Sequence, residues 1–322
     1  MSILALLPVR NSAEHLPRYF RSAQVFADGV LALDDGSTDD TRSILESQAS
    51  VRVILSNPRR DSYHGWNDFE NRQRLLDAAA AFHPDWIVFL DADESFPDDE
   101  AAALRTLLRS MASGDLAFGF RVYRMLDENG SFDKEGQWVH RAFRYRPNQR
   151  LPKRKLHFPT VPPSIPKEYW IKTTLRIQHY AGTTEARRLA RYRKYLEADP
   201  NRVYQDSYEN ILDPPGRIRR WIPRQPSDPF LLAPLETTPE VLGALPHLCV
   251  LRLNDNSLEI DHTKKPPHGE IRIPEMEQLA ALYRKAITGK DMTSAAVAEN
   301  AALRLAHGEA TIRRVIWRRF LL

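Results

Sequence analysis

The sequence predicts an α/β protein: a mostly parallel sheet flanked by helices, followed by a smaller α+β appendage at the C-terminus. Two observations carry this. Short apolar runs alternate with helical segments through the first part of the chain, the pattern of parallel strands joined by crossovers. From Pro214 the composition shifts, with Pro214, Pro215, Pro223, Pro226, Pro229 and Pro234 interrupting any regular helix or central strand. The expected boundary therefore divides residues 1–213 from 214–322.

Ser2 to Val9 reads as a buried strand, leading through Arg10-Asn11 to a helix from about Ala13 with Ser12 as its cap. A second strand, Val30 to Leu33, runs into Asp34-Asp35-Gly36-Ser37-Thr38-Asp39, where Gly36 permits a tight turn. Ser37, Thr38 or Asp39 can cap the helix Thr41 to Ser47. A carboxylate at that strand tip can accept the N–H of a base or the hydroxyls of a ribose. The strand Val51 to Leu55, a polar loop from Asn57 to Trp66 and the helix Asp68 to Phe82 follow.

Trp86 to Leu90 is the most strand-like run, and it ends in Asp91-Ala92-Asp93-Glu94. In an open parallel sheet the carboxyl ends of the strands are where ligands bind. A hard cation held by one or two carboxylates keeps its other positions for water and substrate phosphates. The Asp-x-Asp spacing thus points to a divalent ion on a diphosphate, against the plainer reading of a chance acidic strand end.

Beyond it, Pro97 to Ser113 reads as a helix with acids in its first turn, Leu116 to Met125 as a strand, and Asp127 to Gly130 as a turn. Asp133, Glu135 and Trp138 are expected in a polar loop; Arg141 to Arg146 forms a basic strand, with Lys153-Arg154-Lys155 beyond it. Ile177 to Tyr180 closes another alternating segment, before a helix from Glu185 to Ala198. That helix carries an apolar stripe of Leu189, Tyr192, Tyr195 and Leu196, with arginines and Lys194 on the opposite side. In the tail a hairpin is expected around Asn254-Asp255-Asn256, then helices from Pro274 to Gly289 and Thr293 to Gly308, and a basic amphipathic end from Ile312. That end suits docking on the protein or a second subunit, or peripheral contact with an anionic membrane.

Composition excludes several classes. Forty-six Lys+Arg against 42 Asp+Glu is too small an excess to imply nucleic acid, and no aromatic-basic motif accompanies it. No run approaches the roughly 20 apolar residues of a membrane span. The single cysteine, Cys249, and the absence of a basic leader agree with a cytoplasmic protein. Neither Gly-x-Gly-x-x-Gly nor Gly-x-x-x-x-Gly-Lys occurs.

Pro8-Val9-Arg10-Asn11, then Leu33-Asp34-Asp35-Gly36-Ser37-Thr38-Asp39, then Asn71-Arg72, then Phe89-Leu90-Asp91-Ala92-Asp93-Glu94 together resemble the family 2 glycosyltransferases of the GT-A (Rossmann-like) fold, in order and spacing. The likeness covers the chain through Glu94 and reaches more loosely toward Pro215. It implies a nucleoside-diphosphate sugar donor, by resemblance a UDP-sugar, and Mn²⁺ or Mg²⁺ as cofactor. It also implies that Asp34 or Asp35 contacts the nucleoside, that Pro8 and Arg10 line the base pocket, and that Arg72 approaches the nucleotide. Asp91 then faces ribose or sugar, and Asp93 ligates the metal with His179, which precedes the Glu185 helix as in relatives. An oxygen nucleophile needs a general base, for which Asp133, Glu135, Glu94 and His157 are candidates. The chain departs from the family branch with a His-Glu pair, because Phe158 follows His157. The acceptor is left open among polysaccharide, lipid-linked, peptide and small-molecule classes. The rival readings are a nucleotidyltransferase, which usually has a Gly-rich basic loop where Pro8 to Ser12 stands, and an inactive nucleotide-sugar-binding module.

Overall fold

The computed structural model describes residues 1–110, 115–224, 231–232, 250–254 and 257–261. By internal contacts the chain divides into two units, Met1–Pro166 with Arg176–Trp221, and Lys167–Leu175 with Ile222–Leu322.

In the first unit β1 (Ile3–Val9) is central. It runs parallel to β2 (Gly29–Asp34) on one side and β4 (Trp86–Phe89) on the other, with β3 (Val51–Ser56) parallel to β2 beyond. All of β2 and β4 and all of β1 but Pro8 are buried, which is why these strands read as continuous apolar runs rather than alternations. On the far side of β4 the sheet turns antiparallel, through β7 (Ser131–Arg144) to β6 (Ala117–Met125). The order is β6-β7-β4-β1-β2-β3. The crossovers use α1 (Leu16–Phe26), α2 (Thr41–Ser47) and α3 (Asp68–Ala79, extended by a 3₁₀ turn to Phe82). After β4 come the two-residue β5 (Glu94–Ser95) and α4 (Asp98–Ser110). The mostly parallel sheet with flanking helices is thus as expected.

Two local expectations are corrected. α1 starts at Leu16 and not near Ala13, and Ser12 is not its side-chain cap. Pro17 in the first turn, with its fixed φ and missing donor, sets the start. The Ser12 carbonyl accepts the amides of His15 (2.9 Å) and Leu16 (3.2 Å), while its hydroxyl turns back to the Arg10 carbonyl at 2.9 Å. The second correction concerns residues 131–140, which form most of the strand β7 instead of a polar loop. Asp127 Oδ1 accepts the amides of Asn129 and Ser131 at 2.8 and 3.0 Å, closing a turn that folds β7 back onto β6. Register shifts at Phe118/Gly119, Arg121/Tyr123 and Arg124/Met125 break the two-residue alternation, so the strand signal is scrambled in sequence.

The strand β8 (Trp170–His179) begins in the second unit and ends in the first, where Gln178 and His179 pair with β5. α5 (Glu185–Ala198) follows, opened by Thr184, whose hydroxyl accepts the Arg187 amide at 3.2 Å. The short β9 (Arg219–Arg220) pairs with the start of β7. Within the second unit, β10 (Leu231–Leu232) pairs antiparallel with Lys172 and Thr173 of β8, and Arg224 donates to the Thr174 carbonyl and hydroxyl at 2.8 Å each. The expected hairpin forms between β11 (Val250–Asn254) and β12 (Ser257–Asp261). Cys249, the helices expected from Pro274 and Thr293 and the basic end from Ile312 lie outside the described residues. No helix among the described residues is long and apolar enough to cross a membrane.

Candidate active site

Because β1, β2 and β4 are parallel and in register, their carboxyl ends meet at one edge of the sheet. Val9 pairs with Asp34, and the Asp35 amide donates to the Val9 carbonyl at 2.8 Å. The two aspartates after β2 then diverge. Asp34 Oδ1 accepts the Ser37 amide at 2.9 Å, holding the turn. Gly36 sits in that turn at φ +74°, and a Cβ there would lie 2.3 Å from the Pro58 carbonyl oxygen, so only glycine fits. Helix α2 is capped without a side-chain bond from Asp40, while Asp39 accepts the Thr41 amide at 3.0 Å.

Asp35 points toward the loop after β3, and its side chain is only 3% exposed. One oxygen accepts from Asn57 Nδ2 at 2.6 Å and the other is ion-paired with Arg60. Asn57 Nδ2 also reaches Asn71 Oδ1 on α3 at 2.9 Å. Arg10 spans the same loop, donating to the Ser62 carbonyl at 2.7 Å and to the Arg60 carbonyl, with its guanidinium 4.2 Å from the Tyr63 ring centre. Pro8 lies beside Leu33 in the ladder.

After β4 the carboxylates are as closely held. Asp91 accepts from Arg72 of α3 at 2.6 Å and from Arg141 of β7 at 2.8 Å. Arg72 also donates to Asp68 at 2.9 Å, and Arg141 to Glu94 at 2.9 Å. Burial opposes ionisation of Asp91, but Arg141 and Arg72 outweigh it and hold its carboxyl far below the usual range. Asp93 Oδ2 stands 3.4 Å from His179 Nε2, brought there by the β5–β8 pairing that sets Glu94 opposite His179. Burial again opposes, and His179 and then Arg191 hold Asp93 far below the carboxylate range. Glu94 goes the other way: burial pushes it up, and the pull of Arg141 is not enough to restore it. The structure brings Asp35, Arg72, Asp91, Asp93 and His179 to one sheet edge or its neighbours. Arg141, Asn57 and Arg60 were not singled out as site residues. Arg141 was hidden in a general basic run, whereas Asn57 and Arg60 lie in a loop without regular pattern.

The residues expected to supply a base are placed differently. Asp133 is buried on β7, gripped by the Arg124 guanidinium (Nε 2.8 Å) and accepting the Gly216 amide at 2.8 Å. Burial opposes its ionisation, but these bonds lower its pKa, and none of its hydrogen-bond partners is shared with Asp91, Asp93 or His179. His157 takes φ +54° and is flanked by Tyr195 and Tyr208, with Nε2 3.1 Å from the Tyr208 hydroxyl. That hydroxyl donates to Asp199 at 2.8 Å. Burial, reinforced by Arg154, lowers the imidazole pKa. Phe158 packs edge-on against Phe69 of α3. Glu135 stands opposite Tyr123 in the β6–β7 ladder, and its side chain lies outside the described residues.

Asp93 and His179 offer a divalent ion one oxygen and one nitrogen donor, which suits Mn²⁺ or Mg²⁺ completed by substrate phosphates and water. Among the described residues no group of three His, Cys, Asp or Glu could hold an ion without such help.

The model of the Glycosyl transferase family 2 matches residues 5–166, half of the chain and the part that carries both acidic strand ends. The chain belongs to glycosyl transferase family 2. As a family member it meets the expectation of a glycosyltransferase fold drawn from its sequence blocks. It is 27% identical over 216 residues to an uncharacterized protein of Mycobacterium tuberculosis, covering 62% of this chain and 51% of that protein. It is 32% identical over 143 residues to a TPR repeat-containing protein of Synechococcus elongatus, covering 44% and 32%. The chain spans about half the length of the Mycobacterium relative. Among solved structures it is similar to residues 1–349 of S. aureus TarS, at 13% identity over 66% of this chain and 69% of that one, with a TM-score of 0.42. It is also similar to glucosyl-3-phosphoglycerate synthase of M. tuberculosis in complex with Mn²⁺, UDP and glucosyl-3-phosphoglycerate, at 21% identity over 40% and 45%, with a TM-score of 0.27. Likenesses this distant assign no residue.

Proposed function

We propose that this family 2 chain transfers a sugar from a nucleoside-diphosphate donor, of the UDP-sugar class, to an acceptor nucleophile with Mn²⁺ or Mg²⁺ bound at Asp93 and His179. The observation that carries the reading is the pairing of Asp93 with His179 at 3.4 Å, beside an Asp91 already gripped by two guanidinium groups. The choice of UDP rests on the sequence resemblance. A bound cation would offset the charge that develops on the leaving diphosphate. The chain's own residues do the rest. The nucleoside's donor groups are assigned to Asp35, which faces the Asn57–Trp66 loop, while Asp34 Oδ1 holds the turn through the Ser37 amide. Arg72 fixes Asp91 for the ribose or sugar, and Arg141 locks Asp91 to Glu94. Asp133 and His157 hold the structure through Arg124 and Tyr208, and Glu94 is held by Arg141, which leaves Glu135 with the role of base. Glu135→Gln should then slow transfer with nucleotide affinity unchanged, and undiminished transfer would remove it from the mechanism.

The test is a thermal-unfolding screen of UDP, GDP, CDP and dTDP with and without Mn²⁺. A ligand at 100 times its Kd stabilises by about 2.7 kcal/mol, so one nucleotide should raise the Tm in a metal-dependent way. No shift with any of the four, with or without Mn²⁺, would overturn the reading.

A further inference from the structure

The loop from Asn57 to Trp66 is tied across the base-pocket side of the site by contacts that leave Asp35 no free oxygen. Asn57 takes one and Arg60 the other, and the carboxylate is sealed from solvent. The loop is held again at its far end: the Tyr63 amide donates to Glu197 of α5 at 2.8 Å, Trp66 packs on Tyr195, and Lys194 lies 4.3 Å from the Trp66 ring centre. A nucleoside donor group cannot reach Asp35 while Arg60 stays there. The Arg60 position is itself uneasy. Its Nε and that of Arg10 are both buried without a hydrogen-bond partner. Burial and the neighbouring Arg10 charge lower its pKa against the pull of Asp35. Arg60 is also the more exposed partner of the pair, 24% against 3% for Asp35, so its path of withdrawal is toward solvent.

We propose that Arg60 is an internal competitor for the nucleoside: it occupies Asp35 in the free protein and must withdraw, loosening the loop Asn57 to Trp66, before the base or ribose takes its place. This rests on the assignment of Asp35 to the nucleoside. The exchange is chemically like for like, since nitrogen or hydroxyl donors of the ligand replace the N–H donors of Arg60 on one carboxylate. The conformational cost lowers apparent affinity by the fraction of molecules already open. The loop's own contacts with α5 set that fraction.

The experiment measures the affinity of UDP, GDP, CDP and dTDP, each with Mn²⁺, for the wild type, Arg60→Ala and Arg60→Gln, with Tm values confirming that the variants fold. The nucleotide that binds the wild type should bind both variants more tightly, by about tenfold. Hydrogen exchange on the wild type gives a reading that needs no variant: saturation with that nucleotide should speed exchange at the Tyr63 amide and its neighbours. Equal or weaker binding by the variants, or slower exchange at Tyr63, would overturn the competitor role while leaving the transferase reading intact. Failure of all four nucleotides to bind any of the three chains would remove the nucleoside reading and this inference with it.

Discussion

Replacing Arg141 with methionine keeps most of the aliphatic volume but withdraws the one cation that Asp91 and Glu94 share. Arg141 is 12% exposed and Glu94 5%, so this is the loss of one partner from a buried pair, which costs about 3–5 kcal/mol. The lower end applies, because Asp91 is 29% exposed and keeps its 2.6 Å bond to Arg72. At about 2–4 °C per kcal/mol for a unit of this size, about 3 kcal/mol lowers Tm by roughly 6–12 °C at pH 8. The loss should depend on pH. Burial already raises Glu94, and Arg141 is the largest opposing pull, so its removal raises Glu94 further. An acid whose folded pKa exceeds its unfolded value, about 4.3 for glutamate, binds more protons folded than unfolded between those two values. Its penalty is absent below the unfolded value, grows as pH rises, and is complete above the folded one. At pH 5 less than one pH unit has accumulated, worth about 1 kcal/mol. Thermal unfolding of wild type and Arg141→Met with EDTA at pH 5, 6.5 and 8 reads this directly. A loss of equal size at all three pH values, or none at pH 8, would refute the charge balance described for the cluster.

Three further outcomes are expected. Asp93→Ala should abolish Mn²⁺-dependent stabilisation by nucleotide in a variant that still unfolds cooperatively, and His179→Ala should weaken Mn²⁺ binding by at least the roughly 10- to 100-fold that loss of an outer-shell partner costs; a lower Tm from His179→Ala without any metal effect would make the imidazole structural. Gly36→Ala places a left-handed alanine, at about 1–2 kcal/mol, with its Cβ 2.3 Å from the Pro58 carbonyl; calorimetry should show a loss of at least that size, and an unchanged Tm would refute the tight turn. Tyr208→Phe removes the hydroxyl between Asp199 and His157 while Asp199 keeps the Val203 and Tyr204 amides. It should cost about 1–2 kcal/mol in urea unfolding with nucleotide Kd unchanged, and a changed Kd would return His157 to the site.

What the sequence made legible was whatever the backbone alone decides. β1, β2 and β4 are buried on both faces, so their apolar runs could be read directly, and the acids that end β2 and β4 could be placed at the sheet edge by topology. His179 was reachable only through the family resemblance, which implies a histidine ahead of an amphipathic helix; that helix has the bounds the pattern predicts, Glu185–Ala198. Residues 131–140 of β7 were hidden because bulges scramble their alternation, whereas Arg141 lay in a segment read as a strand and looked like one basic residue among several. Asn57 and Arg60 were hidden for a different reason: a loop's partners are chosen by three-dimensional closure, and nothing local marks the arginine that will meet Asp35. Asp133 and His157 show the converse case, residue types read for chemistry that the structure finds engaged elsewhere. Both have residue types suited to proton transfer, yet each is surrounded by groups that fix its structural duty, Arg124 and Gly216 for one, Tyr195 and Tyr208 for the other.

The carboxylates of the site share a property that bears on how a donor would enter. Asp35, Asp91 and Glu94 each already face a guanidinium, and Asp93 faces the His179 imidazole. A bare pair of carboxylates at a strand end would repel and raise each other's pKa, and the cluster would lose charge on mild acidification. Here Asp91 and Asp93 are instead held ionised by Arg72, Arg141 and His179. The negative charge a cation would need is therefore kept in place without the cation, and stored in partnerships of unequal strength. Asp91 is held by two arginines at 2.6 and 2.8 Å, whereas Asp93 and His179 meet at 3.4 Å, beyond good hydrogen-bond length. On the proposed reading an incoming ion would part the weaker of these contacts, at Asp93, and leave the stronger, at Asp91, to keep the strand end rigid.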